Sequence, residues 1–164
     1  MEVLFLLHQT AFGALAAAGF GVLFNVEFRL LPWCAAMGGL ALAVRTGCME
    51  LGWSLVGASF AAALLVGMAA QLMRLRADIY QDMFGVAGCI PMIPGSIAAR
   101  AILGLFAFTT APTVSDAQPL VTALQYTLRV MFTIGAIGTG LAIPTLLRRA
   151  RLRGHGRPQL PARG

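Results

Sequence analysis

The stretch Cys89-Ile90-Pro91-Met92-Ile93-Pro94-Gly95-Ser96 decides how this chain folds. It lies inside an apolar segment from about Met83 to Phe108, long enough to cross a bilayer as one helix. Each proline removes a backbone N–H and crowds the carbonyl four residues back, and glycine adds a further helix penalty. Two prolines and a glycine within five residues do not continue one regular helix. The segment therefore reads as two half-helices joined by an unwound stretch at Pro91–Gly95.

Outward from that break, the chain reads as membrane protein throughout. Of 164 residues, 59% are hydrophobic and 11% charged, against about 25% charged in an ordinary globular protein. Mean hydropathy is +0.81. These values exclude a disordered chain, and a soluble domain this small has too much surface to leave so little of it polar. Val3 to Phe24 is a first span. Glu2 and the lack of Arg or Lys before it, together with its length, argue against a signal peptide. Within it Gly13, Ala17 and Gly21 recur every fourth residue, a smooth ridge for close helix contact. Asn25 to Leu31 is a polar break. Pro32 then suits a helix start and Trp33 an interfacial anchor. The stretch from Trp33 to Val44, interrupted by Arg45, reads as a short second span completed through Met49, or as a re-entrant segment. Ser54 to Met73 is a third span, followed by a polar turn over residues 74–82. The broken segment is the fourth. After a polar loop from Thr109 to Pro119, Leu120 to Leu147 is the fifth. The expected fold is an all-α transmembrane bundle of about five spans. Residues 1–147 form the membrane domain and 148–164 a basic, unstructured tail.

Charge sets the expected orientation. Net charge is +6, and all 12 basic residues are arginine. Six follow residue 147, as a juxtamembrane cluster without interleaved aromatics, which argues for membrane orientation rather than nucleic-acid binding. With five spans, Arg29, Arg74, Arg76 and the tail share one side. The positive-inside rule then makes the C-terminus cytoplasmic and the N-terminus external. An odd number of spans leaves no internal inverted repeat, so such symmetry would need another chain.

The chemistry follows from the break. Freed backbone groups are tolerated at membrane depth only inside protein or beside a water-filled cavity. In transporters, half-helix N-termini point at anionic substrate groups. Pro91, Pro94, Gly95 and Ser96 are therefore candidate substrate contacts, with the amides after Pro94 facing a carboxylate. Arg100, one turn past Ser96, shares that face by helical spacing and offers a bidentate contact. Arg129 in the last span, one turn after Gln125, is a second membrane cation with a substrate or subunit role. The competing readings are a kink that only shapes packing and, for Arg129, snorkelling to the outer interface. His8, Gln9 and Gln71 are weaker candidates, read as interhelical hydrogen-bonding groups. Cys34, Cys48 and Cys89 read as packing residues, and clustered metal ligands are missing from the sequence. No hydrolase, zinc-protease or nucleotide-binding motif occurs, so the chain reads as a non-enzyme without a cofactor, its coupling ion unassigned.

Phe24-Asn25, Pro32-Trp33-Cys34, the small-residue third span and above all Ile90-Pro91-Met92-Ile93-Pro94-Gly95 resemble the threonine/serine exporter family. The resemblance is to its C-terminal membrane half, closest to the small subunit of the split form, and covers about Ala14 to Leu147. It implies a secondary transporter exporting small carboxylates from the bacterial cytoplasm across the inner membrane, with a larger membrane subunit as partner. The implied substrates are threonine and serine for fused members and succinate for split ones. Members of the family it resembles often carry an aromatic soon after the Pro-Gly, where this chain has Ala98, Ala99 and then Arg100. An added arginine suits a dicarboxylate better than a zwitterion. The alternative function is a non-transporting membrane scaffold, in which the broken helix serves packing alone.

Overall fold

The computed structural model describes residues 2–77, 83–110 and 118–155. It contains helices α1 (Glu2–Leu23), α2 (Leu31–Glu50), α3 (Leu55–Ala77), α4 (Met83–Cys89), α5 (Gly95–Thr110) and α6 (Gln118–His155). The turn residues 78–82, the loop residues 111–117 and the tail residues 156–164 lie outside the described residues. Among the described residues, four helices are long and apolar enough to cross a membrane. The pair α4 and α5, bent by 54°, makes a fifth span. The chain is thus a polytopic all-α bundle with its fourth crossing broken.

Turn chemistry at two helix ends fixes the first three crossings. Asn25 takes the left-handed conformation (φ 56°) after α1. The Val26 amide then donates to the Gly21 carbonyl and the Asn25 amide to that of Val22. Gly52 (φ 82°) repeats the arrangement after α2, with Trp53 donating to Cys48 and Gly52 to Met49. Both are the paired C-terminal bonds that satisfy the last carbonyls of a helix and reverse the chain, and asparagine and glycine are the residues that tolerate this conformation. Pro32 stands in the first turn of α2, as its sequence position predicts. The Ser54 hydroxyl caps α3 by accepting from the Gly57 amide at 3.2 Å. The second crossing is a full helix through Glu50 rather than a short or re-entrant one.

Small residues set the helix spacing. The Gly13/Ala17/Gly21 ridge is buried against α2. A Cβ on Gly13 would come within 2.7 Å of Leu42 Cδ1, and one on Gly38 would collide with the Ala17 side chain and the Gly13 carbonyl. The partners run in opposite order along α1 and α2, so the pair is antiparallel. Gly140 lies equally close to Ala63 and Phe60, and Gly67 to Leu141 and Pro144, so α3 and α6 run parallel. In membranes, where burial of apolar surface drives little, close backbone approach of this kind supplies the packing energy. The core between these pairs holds Met37, Ala41, Ala62, Val66, Cys89 and Met92.

One expectation is corrected at the C-terminus. Residues 148–155, read as unstructured tail, continue α6 without interruption to His155. Arginine is a strong helix former, and cations at a helix C-terminus are favoured by its dipole. The apolar pattern ends at Leu147, but the propensity for helix does not.

Candidate functional site

The break is a short 3-10 turn, Ile90–Met92, followed by extended backbone at Ile93 (φ −63°, ψ 125°). Its polar groups are largely satisfied locally. The Ile93 amide donates to the Ile90 carbonyl at 3.0 Å and the Gly95 amide to that of Ile93 at 2.8 Å. The Pro94 carbonyl accepts from the amides of Ile97 and Ala98 at 3.1 and 3.0 Å. In an unbroken helix the Ser96 amide would donate to the Met92 carbonyl. Here the two are separated. The carbonyl instead accepts from Arg45 Nη1 at 2.5 Å, and at the start of α5 the Ser96 amide is left without an acceptor among the described residues.

Ser96 and Arg45, whose guanidinium takes the lost donor's place at Met92, border one cavity of about 460 Å³. Its walls are Gln9 from α1, Arg45, Thr46 and Glu50 from α2, and the break itself. Pro91, Pro94, Gly95 and Ser96 all line it. Pro94 is buried, whereas Gly95 and Ser96 are exposed to the cavity side, and a Cβ on Gly95 would meet no atom within 4 Å. The tight Ile93–Gly95 turn and this open space explain why proline and glycine stand together: Pro94 favours the extended backbone of Ile93 before it, and glycine starts the second half-helix without a side chain over the opening.

Electrostatically the cavity carries one fixed cation. Arg45 is half-buried, and a guanidinium has five N–H donors, of which Met92 takes one. Among the described residues no carboxylate forms an ion pair with it. Glu50 lies on the same wall, five residues further along α2 and about 7.5 Å of helical rise away. Such a guanidinium, beside a Ser96 amide without an acceptor among the described residues and the polar side chains of Gln9, Thr46 and Ser96, is suited to an anionic group small enough for the cavity.

Of the residues singled out from sequence, the structure brings Pro91, Pro94, Gly95 and Ser96 together and leaves Arg100 and Arg129 elsewhere. Arg100 is exposed on α5 and does not line the cavity, although Ser96 one turn earlier does. Arg129 is exposed on α6; its carbonyl accepts from the buried Thr133 hydroxyl at 2.7 Å. The amides expected to greet a carboxylate shrink to that of Ser96, because those of Gly95, Ile97 and Ala98 have backbone acceptors. Arg45 is the residue that sequence reasoning passed over. It read as an interruption near a helix end, and it lies within α2, five residues before its C-terminal residue Glu50. The available signal was physical: a broken helix exposes carbonyls at membrane depth, and the nearest membrane arginine is the natural donor.

A family model described as Threonine/Serine exporter, ThrE, matches residues 9–147. No solved structure matches the chain.

Proposed function

The chain belongs to the threonine/serine exporter family, a family of transporters rather than enzymes, and on that premise we propose that it is one membrane subunit of a secondary exporter of small carboxylates. The observation that carries this reading is the uncompensated Arg45 guanidinium, anchored to the Met92 carbonyl and facing a cavity bordered by the broken helix. In the proposed mode the substrate carboxylate takes the remaining Arg45 donors and the Ser96 amide, with Pro91, Pro94 and Gly95 shaping the opening. Glu50 on the same wall supports a zwitterion, whose ammonium group it would receive, in preference to a dicarboxylate, which would need a second cation. The dicarboxylate preference inferred from Arg100 loses support because Arg100 stands outside the cavity.

The rest of the proposal concerns surroundings. A larger membrane subunit completes the open wall of the site, and Arg100 and Arg129 on the exposed faces of α5 and α6 are assigned to that boundary. The assembly sits in a bacterial inner membrane with its C-terminus in the cytoplasm, by the distribution of arginines.

The deciding experiment is counterflow in proteoliposomes containing both subunits. Labelled threonine or serine should exchange against internal substrate, and Arg45→Ala should abolish exchange while the subunits still co-purify. Exchange by Arg45→Ala at the wild-type rate would dismiss the site. Loss of assembly in place of flux would favour the scaffold reading.

A further inference from the structure

A second cavity, about 430 Å³, opens among α3, α4 and α6 at the arginine-rich end of α6. Its mouth carries Arg149 together with Gln71 and Thr145. Those last two are joined to a second cation: Arg148 Nη1 donates to Gln71 Oε1 at 3.1 Å, and Gln71 Nε2 donates to the Thr145 hydroxyl at 3.1 Å. Arg151 is exposed one half-turn beyond. From this mouth the cavity runs along one face of α6, through Leu146, Ala142 and Leu141 to Gly138. The eleven steps from Gly138 to Arg149 correspond to about 16 Å of helix. Its other walls are Gly67 and Ala70 of α3 and Gly85 and Val86 of α4. Past Thr145, no side chain among the described lining residues bears a polar group.

We infer that this groove binds one anionic glycerophospholipid, the phosphate at Arg149 with Arg148 held beside it by Gln71, and an acyl chain along α6 toward Gly138. The shape and polarity support this occupant over a free small anion. A hydrophilic carboxylate or phosphate would be satisfied at the mouth and would leave about 16 Å of apolar groove unfilled. An acyl chain fills that length, and the basic mouth lies where the amphipathic end of a lipid belongs. Glycine at 138 has a specific consequence here: a Cβ at this position would meet no atom within 4 Å, so its lack of a side chain keeps the groove open rather than letting a neighbouring helix approach. The inference does not depend on which substrate the exporter carries.

The test is native mass spectrometry of the full chain, with its partner subunit where the two co-purify, after exchange into phosphatidylglycerol or phosphatidylcholine. The wild type should retain one phosphatidylglycerol in preference to phosphatidylcholine. Arg149→Gln should weaken retention about five-fold, the effect of one interfacial cation. Gly138→Leu should weaken it at least as much by filling the deep end, while Gly135→Leu serves as control, since that position is also open but lies outside the groove. Equal retention of the two lipids, or undiminished retention by Gly138→Leu, would overturn the proposal. Displacement of the lipid by glycerol 3-phosphate or succinate alone would likewise overturn it, assigning the mouth to a free anion.

Discussion

Arg45 Nη1 bonds to the main-chain oxygen of Met92 across 47 residues of sequence, linking the C-terminal part of the second crossing to the interruption in the fourth. The Met92 side chain is fully buried in the core on the opposite side of the same residue. One guanidinium thus replaces the backbone donor that the break took away, and its remaining donors face the cavity. Two roles converge on Arg45, support of the break and attraction of an anion, and substitutions can pull them apart.

Arg45→Lys keeps the positive charge and loses the planar fork. It should retain expression and assembly, with a raised apparent substrate constant in proteoliposome counterflow. Arg45→Ala should in addition lower thermal stability in detergent by about 1.5–3 kcal/mol, the worth of a hydrogen bond to a charged group. An alanine variant as stable as wild type would show that the Met92 carbonyl finds another donor.

Two glycines should respond oppositely to the same small change. Gly38→Ala drives a methyl into Ala17 and the Gly13 carbonyl. It should destabilise the α1–α2 pair by about 1–3 kcal/mol, as overpacking does. Gly95→Ala meets open space and should leave the melting temperature within a degree or two of wild type, while lowering export by narrowing the opening. The two proteins can be compared directly by scanning fluorimetry and by transport.

The open wall of the cavity predicts dependence on the larger subunit. Purified alone and reconstituted, this chain should not catalyse counterflow, and adding the larger subunit should restore it. Arg100→Ala and Arg129→Ala should reduce recovery of the partner in pull-downs more than they alter substrate affinity in the complexes that do form. Full transport by the chain alone would require a homo-oligomer to close the wall.

Orientation follows from the arginines. Reporter fusions should place the N-terminus outside and the C-terminus in the cytoplasm, and the α6 extension through His155 should protect positions 148–155 from limited proteolysis better than an unstructured tail would. Both reporters on the cytoplasmic side would remove one of the five crossings.

The crossings and the break were readable in the sequence because each rests on local chemistry: apolar length, the ridge at Gly13, Ala17 and Gly21, and the paired prolines. Four of the cavity residues, Pro91, Pro94, Gly95 and Ser96, were readable for the same reason. Arg45 was not, because its role depends on a carbonyl 47 residues away, and a single sequence does not state which helix passes beside the break. Helical spacing also misled at Arg100. The four-residue rule puts it beside Ser96 on α5, but whether that face still borders the opening one turn further on depends on how far α5 has turned away, and the bend is 54°. The helix beyond Leu147 was missed because the apolar pattern stops where the helix does not.

The way Met92 is held has a mechanical consequence. Its side chain is clamped in the core and its carbonyl is tied to α2, so the residues up to Met92 are immobilised as part of the rigid body. Three residues later Gly95 touches nothing where a side chain would be. If α5 changes its tilt during a transport cycle, the pivot is Pro94–Gly95 and α5 is the lever arm, with α4 remaining on the static side. Spin-label distances from α2 to α4 should then stay fixed on substrate addition while those from α2 to the far end of α5 broaden or shift. Movement of α4 with α5 would place the fulcrum earlier in the chain and break the Arg45 tether with each turnover.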